Sequence, residues 1–127
     1  MVRVLIVDDH APFLRVAHDL VAATPGFVPA AEAGSGEDGL AAAQRSEPDL
    51  VLADVHMPGM DGVEMARRML RTGKPPVVVL ITAEDPADLP AAARTCGVAD
   101  IIAKQDLGPA RLSRLWQDHG AGSAGPQ

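Results

Sequence analysis

The sequence predicts an α/β fold in which five parallel strands alternate with five helices. Five short, mostly apolar runs recur along the 127 residues, and a helix-like segment follows each one. Runs of this kind are typical of strands buried on both faces of a parallel sheet. Four of the runs end in polar or charged residues, at the sheet edge where open α/β folds place their ligands. We therefore expect a doubly wound sheet with a functional site at the carboxyl ends of its strands.

The first strand is predicted over residues 4–7, an apolar run that ends at Asp8 and Asp9. An amphipathic helix follows it and ends at a Pro-Gly pair. Residues 27–33 predict a poorer strand, because Pro29 has no backbone N–H to donate to a ladder. We therefore place this second strand at an edge of the sheet.

The second helix leads into the most informative strand of the chain. Ser35 is the predicted N-cap of this helix, which carries acids in its first turn and ends near Ser46. The apolar run 50–53 then ends abruptly at Asp54. An ionised carboxyl group at the end of a buried strand is costly without a partner, so this position is a candidate functional site.

A turn at residues 57–59 leads into the third helix. Asp61 can cap this helix, and the Glu64 side chain can reach back to complete a capping box. The residues expected to face inward are Val63, Ala66 and Leu70. The arginines of this helix are expected on its solvent face.

The last two strands end in a hydroxyl group and an ammonium group. Residues 77–81 form the fourth apolar run and precede Thr82, while residues 98–103 form the fifth and precede Lys104. Two prolines between these strands cannot both lie inside one helix. The fourth helix is therefore expected to begin only at residues 88–90.

The composition describes one acidic domain with a short tail. A final helix begins near Pro109, and we assign residues 1–118 to the domain and residues 119–127 to a flexible Gly/Ala/Ser-rich tail or the start of an interdomain linker. The formal net charge of −6 argues against direct binding of nucleic acid or an anionic membrane. A single cysteine, Cys96, and the lack of a signal-peptide or membrane-spanning pattern favour the cytoplasm.

Right-handed crossovers and an edge position for the second strand favour the flavodoxin-like strand order 2-1-3-4-5. This order brings together the side chains of Asp8, Asp9, Asp54, Thr82 and Lys104. Three neighbouring carboxylates repel one another and need a cation, and oxygen ligands suit Mg²⁺ better than zinc. Beside Mg²⁺, Asp54 can attack phosphorus while Thr82 and Lys104 orient the phosphoryl oxygens.

These residues and their neighbours resemble the receiver domain of bacterial two-component response regulators over about residues 2–117. The segments that carry the resemblance are Val7-Asp8-Asp9-His10, Asp54-Val-His-Met-Pro-Gly-Met-Asp-Gly62, Ile81-Thr82-Ala83 and Gly97 to Lys104. Asp8-Asp9-His10 and the Lys104-Gln-Asp-Leu continuation are most similar to receivers of the branch that usually carries a LuxR-type helix-turn-helix output domain.

The resemblance implies a role for each site residue. Asp54 would accept a phosphoryl group from a sensor histidine kinase, and Thr82 and Lys104 would contact that group. The implied Mg²⁺ ligands are Asp8, Asp9, Asp54 and the backbone carbonyl of His56. The chain would then be a signalling switch rather than an enzyme, limited to self-catalysed phosphotransfer and autodephosphorylation.

The resemblance also implies an output surface formed by the fourth helix, the fifth strand and the fifth helix, residues 86–117. Phosphorylation would switch this surface to control a partner or an output domain in transcription regulation, and a homodimer could form through it. The side chains expected to add apolar contact are Leu89, Leu112 and Trp116. The family usually has Tyr or Phe three residues before the lysine, where this chain has Ile101. We therefore expect phosphorylation to act mainly on residues 83–91.

Two other classes of protein use parts of the same pattern. An aspartyl-phosphate-type phosphatase of the haloacid class would need Asp-x-Asp after the first strand, but this chain has Asp8-Asp9-His10-Ala11 there. A flavodoxin-like electron carrier would need a phosphate-cradling loop at this point and aromatic residues around its flavin. The loop here is acidic, which disfavours the carrier.

Overall fold

The structure, a computed structural model, describes residues 1–120 as five parallel strands with helices on both faces. The sheet has the order β2-β1-β3-β4-β5, which confirms the predicted topology. The strands are β1 (Val2–Val7), β2 (Phe27–Ala33), β3 (Leu50–Asp54), β4 (Val77–Thr82) and β5 (Asp100–Ala103). The helices are α1 (Ala11–Ala23), α2 (Gly36–Ser46), α3 (Gly62–Met69), α4 (Ala91–Thr95) and α5 (Pro109–His119).

Two hydrophobic layers fill the space between the sheet and its helices, because successive strand residues point to opposite faces. One layer joins the sheet to α2, α3 and α4, and its fully buried members include Leu5, Val51 and Leu80. The other layer joins the sheet to α1 and α5, and its members include Ile6 and Leu52. The carboxyl ends of the strands are thus fixed by a core on both sides.

The edge position predicted for β2 is confirmed, and this strand also contains a bulge. Its pairing with β1 passes from Val4 opposite Pro29 to Leu5 opposite Ala31, so Ala30 is skipped in the register. The irregularity begins at the proline that cannot donate to a ladder. After the bulge, the pairing of the two strands continues to Val7 opposite Ala33, at the end of β1.

Both predicted N-caps are present, but the predicted capping box is only half formed. The Ser35 hydroxyl accepts a hydrogen bond from the Asp38 N–H at 3.1 Å, and the Asp61 carboxylate accepts one from the Glu64 N–H at 2.9 Å. The Glu64 side chain does not reach back; it accepts a hydrogen bond from Arg68 at 2.8 Å. Since Arg68 lies one helical turn further on, a charged partner displaces the backbone N–H.

The inward face of α3 contains the three residues predicted for it. Ala66 is fully buried, and the half-buried Val63 and Leu70 pack against the same hydrophobic layer. The buried face is wider than predicted, because it also includes Gly62, Met65 and Met69. Gly62 has no Cβ and packs directly against the end of β3.

The segment between β4 and β5 contains little regular helix. A short 3₁₀ turn occupies Pro86–Asp88, and α4 begins at Ala91, close to the start that the two prolines predicted. β5 begins at Asp100, two residues later than predicted. Leu89 is buried beside α4 and so cannot add apolar contact to a dimer interface as expected.

The last helix has its apolar side in the core. Leu112 is fully buried there, so its predicted place on the output surface is also wrong, while Trp116 is half-buried. The helix ends at His119, one residue beyond the boundary assigned from sequence. Most of the predicted tail, residues 121–127, lies outside the described residues. Within residues 1–120, no helix has both the length and the apolar character needed to cross a membrane.

Candidate functional site

Three carboxylates meet at the carboxyl ends of β1 and β3. Ligand oxygens of Asp8, Asp9 and Asp54 all lie within 4.8 Å of one another. Asp8 is 0% exposed and Asp54 is 8% exposed, whereas Asp9 faces solvent. The predicted acidic cluster is therefore present, with two of its members withdrawn from water.

A glycine allows the chain to pack tightly around Asp54. The Gly62 N–H donates to the Val55 carbonyl at 2.9 Å, which draws the first turn of α3 onto the end of β3. A Cβ at position 62 would lie 2.1 Å from the backbone oxygen of Asp54. The turn before it uses Gly59 at φ +75°, a backbone conformation that favours glycine.

Lys104 brings a positive charge to the acidic cluster from the end of β5. Its Nζ lies 2.7 Å from Asp8 Oδ2 and 3.9 Å from Asp54 Oδ2. The same ammonium lies 4.4 Å from the centre of the Phe13 ring, on the first turn of α1. The sequence placed Phe13 only on the apolar face of the first helix. Its position four residues after Asp9 was the available sign that it could reach the site.

Burial and neighbouring charges both act on the Asp54 carboxyl group. Burial raises the pKa of the Asp54 carboxyl group above its ordinary value, and the Asp8 charge raises it further. Lys104 opposes this shift, as does the hydrogen bond that Asp54 accepts from the His56 backbone N–H. One cation is thus insufficient to offset the burial and the like charges.

The donor set fits a hard divalent cation. Asp8 Oδ1 accepts a hydrogen bond from the His10 N–H at 2.8 Å, and the buried Oδ2 lies 2.7 Å from the Lys104 ammonium. Within residues 1–120 this ammonium is the one positive charge in contact with the cluster, and it faces three neighbouring carboxylates that repel one another. Oxygen ligands on three carboxylates match the preference of Mg²⁺. The residues that would hold it are Asp8, Asp9, Asp54 and the backbone carbonyl of His56.

Thr82 lies on β4, beside β3, where Asp54 pairs with Ile81 in register. Its side chain is fully buried, and its hydroxyl oxygen accepts a hydrogen bond from the Glu84 N–H at 3.1 Å. The Glu84 side chain in turn contacts His56 Nε2 at 2.5 Å. This exposed pair joins the loop after β3 to the loop after β4.

The chain is similar in sequence to a known protein family and to several bacterial proteins. Residues 4–115 match the response regulator receiver domain family. The chain is 34% identical over 104 residues to the virulence factors putative positive transcription regulator BvgA of Bordetella pertussis, and the match covers 82% of this chain and 49% of that protein. It is 40% identical over 106 residues to a protein-glutamate methylesterase/protein-glutamine glutaminase of Anaeromyxobacter dehalogenans, covering 84% of this chain and 30% of that protein.

A solved structure shows the same likeness. The signal receiver domain of the putative response regulator NarL from Mycobacterium tuberculosis superposes with a TM-score of 0.79 at 32% identity, covering 92% of this chain and 94% of that one. The chain spans half or less of the length of the two curated relatives described above. None of these comparisons supports the phosphatase alternative.

Proposed function

The chain belongs to the response regulator receiver domain family, and from this premise we propose that Asp54 accepts a phosphoryl group from the phosphohistidine of a sensor histidine kinase. The observation that carries the proposal is the cluster of three carboxylates, Asp8, Asp9 and Asp54, whose ligand oxygens lie within 4.8 Å of one another beside the Lys104 ammonium. A strand-terminal carboxylate next to a cation site and an ammonium group is suited to phosphoryl transfer.

The proposed transfer is a displacement at phosphorus. An Asp54 carboxylate oxygen forms the new O–P bond while the P–N bond of the donor breaks, and the nitrogen keeps the bonding electron pair and takes up a proton. Bound Mg²⁺ would supply positive charge to the carboxylates and to the phosphoryl oxygens. Lys104, 3.9 Å from Asp54, is close enough to turn from Asp8 toward a phosphoryl oxygen.

Thr82 connects the transfer to the neighbouring loop in this proposal. Its hydroxyl accepts the Glu84 N–H in the structure. A Thr82 side chain that turns to donate to the phosphoryl group would release that N–H and loosen the loop start. The expected change is therefore centred on residues 83–91, with little rotamer change at the β-branched Ile101.

The wider role follows from the family and is part of the same proposal. Residues 1–118 act as the receiver domain, which controls an output in transcription regulation. The surface of residues 86–117 transmits the signal to a partner, an output domain or a second copy. The domain is a cytoplasmic switch, not an enzyme for a separate substrate, and does not itself bind DNA or a membrane.

The direct test is radiolabelling with a small phosphodonor such as phosphoramidate in the presence of Mg²⁺. We expect acid-labile label on Asp54, no label in Asp54→Asn, and a higher Mg²⁺ requirement in Asp9→Ala. Asp118→Asn, an exposed change on α5, is the matched control and should behave as the wild type. Label that persists in Asp54→Asn contradicts the assignment.

A further inference from the structure

An aromatic ring lies against the one lysine of the candidate site. The chain contains only two phenylalanines and one tryptophan, and one of the three, Phe13, contacts the Lys104 ammonium. The distance of 4.4 Å from Nζ to the ring centre is well within the limit of about 6 Å for a cation–π interaction. Among the described residues this is the one cation–ring contact.

The ring differs from the other partners of Lys104 because it carries no net charge. Lys104 lies 2.7 Å from Asp8 and 3.9 Å from Asp54, and its side chain is only 18% exposed. If Asp8 becomes a Mg²⁺ ligand, its negative charge is shared with the metal and its hold on the ammonium weakens. The face of an aromatic ring keeps the same attraction before and after that change.

We propose that Phe13 is a positioning residue for phosphoryl transfer, which holds the Lys104 ammonium at the site while its anionic partner changes from Asp8 to the phosphoryl oxygens on Asp54. The inference rests on the proposed function. The ring takes up neither electrons nor protons, and the bonds that form and break are those of the transfer already described. Its effect is to keep the ammonium from swinging into solvent during the exchange.

The alternative is that Phe13 only fills space between α1 and the hydrophobic layer beneath it. The two roles respond differently to the electron density of the ring. Apolar packing depends on the size and shape of the side chain, whereas cation–π attraction depends on the negative potential of the ring face. Fluorine atoms withdraw electron density from the ring. This weakens the negative potential of the ring face and changes the shape of the side chain only slightly.

The test replaces Phe13 in the 127-residue chain with 4-fluoro-, 3,5-difluoro- and 3,4,5-trifluorophenylalanine. The same series at Phe27 is the matched control, because that ring is buried in the same hydrophobic layer without a cation contact within residues 1–120. We measure the rate of Asp54 phosphorylation by phosphoramidate at saturating Mg²⁺. The rate should fall stepwise with fluorine number at position 13, by up to about tenfold in all, and should stay flat at position 27.

A second readout needs no phosphorylation. In the wild type, the ε-protons of Lys104 should show an upfield ring-current shift in the NMR spectrum, and Phe13→Leu should abolish it. A flat rate series at position 13, an equal fall at position 27, or an unshifted Lys104 signal each overturns the inference while leaving the proposed function standing. A wild type that takes no label on Asp54 overturns both.

Discussion

Asp54 is a buried carboxyl group with other carboxylates beside it. Burial, followed by the Asp8 charge, raises the pKa of its carboxyl group. The native state therefore binds a proton more tightly than the unfolded state does. Protonation of Asp54 therefore stabilises the native state. This stabilisation is complete below the ordinary carboxyl pKa and is lost as the pH rises through the raised pKa of Asp54.

The first prediction follows from the raised pKa of Asp54. In EDTA at neutral pH, Asp54→Asn should raise the free energy of unfolding by an amount of order 1 kcal/mol, because it removes a buried like charge. The free energy of unfolding is measured by urea denaturation from about pH 4 to about pH 8, a range that covers the titration of a carboxyl group with a raised pKa. Asp9→Asn, at an exposed position, should have a smaller effect. Equal stability of wild type and Asp54→Asn across this range would contradict the prediction.

The contact between His56 and Glu84 gives the second prediction. Their side chains meet at 2.5 Å and join the two loops beside Asp54. We expect this pair to limit the access of water to a phosphorylated Asp54, so His56→Ala with Glu84→Ala should shorten the lifetime of the label severalfold. Loss of label is followed after removal of the donor. An exposed double alanine change at Arg114 and Asp118, which also form a pair, is the control, and an unchanged lifetime in the first variant would refute the idea.

At the scale of elements, the Arg94 side chain connects the segment before α4 to that helix. The Arg94 guanidinium donates to the Pro86 carbonyl at 2.7 Å and to the Leu89 carbonyl at 3.1 Å. These bonds connect the irregular residues 86–89 to the short helix. Because few regular backbone hydrogen bonds support this segment, we expect it to be the first to open locally.

The third prediction concerns amide hydrogen exchange in that segment. Arg94→Ala should increase exchange at residues 86–89, whereas Arg114→Ala on α5 should not. Phosphorylation, or a phosphoryl mimic on Asp54, should change exchange mainly at residues 83–91. Changes confined to β5, with residues 83–91 unaltered, would count against the proposed route.

The start of α3 gives the fourth prediction. Gly62→Ala places a Cβ 2.1 Å from the Asp54 backbone oxygen, so α3 must move away from β3. We expect a loss of about 3 kcal/mol in the free energy of unfolding and weaker Mg²⁺ binding. Gly73→Ala has open space around it and should be close to neutral. Urea denaturation of both variants decides the matter, and similar stabilities would be the contrary result.

At the scale of the whole molecule, the fifth prediction concerns DNA. The net charge of −6 opposes contacts with phosphates, so the chain alone should bind DNA no better than another acidic protein does. A gel-shift assay at physiological salt with residues 1–127 measures this. A sequence-specific shift would show that the charge argument fails.

The sheet order and the carboxylate cluster could be predicted from the sequence because each depends on a short local pattern. An apolar run that ends in an acid specifies both a strand and the sheet edge at which its side chain emerges. The placement of Pro29 was enough to locate the edge strand. Thr82 and Lys104 could be assigned to the site only because they lie at the ends of neighbouring strands.

The errors arose where side chains compete for the same partner or position. Glu64 had two possible partners, and the charge of Arg68 outweighed the backbone N–H. The burial of Gly62 at the start of α3 was missed, because its close approach to the end of β3 is not encoded in hydrophobicity. Leu89 was expected to add apolar contact because it lies within the output surface of residues 86–117 that the resemblance implies, yet the core extends to it. The Phe13 contact depends on how the first turn of α1 meets the residue that follows β5, which no local pattern in the sequence specifies.

The bulge in β2 has a consequence for behaviour at high concentration. A free sheet edge can template the addition of a strand from another molecule, which is a route to aggregation. At the β2 edge the skipped Ala30 interrupts the register, and Pro29 offers no N–H to an incoming strand. The opposite edge, β5, is only four residues long. Both edges should therefore be poor templates for a strand from another molecule.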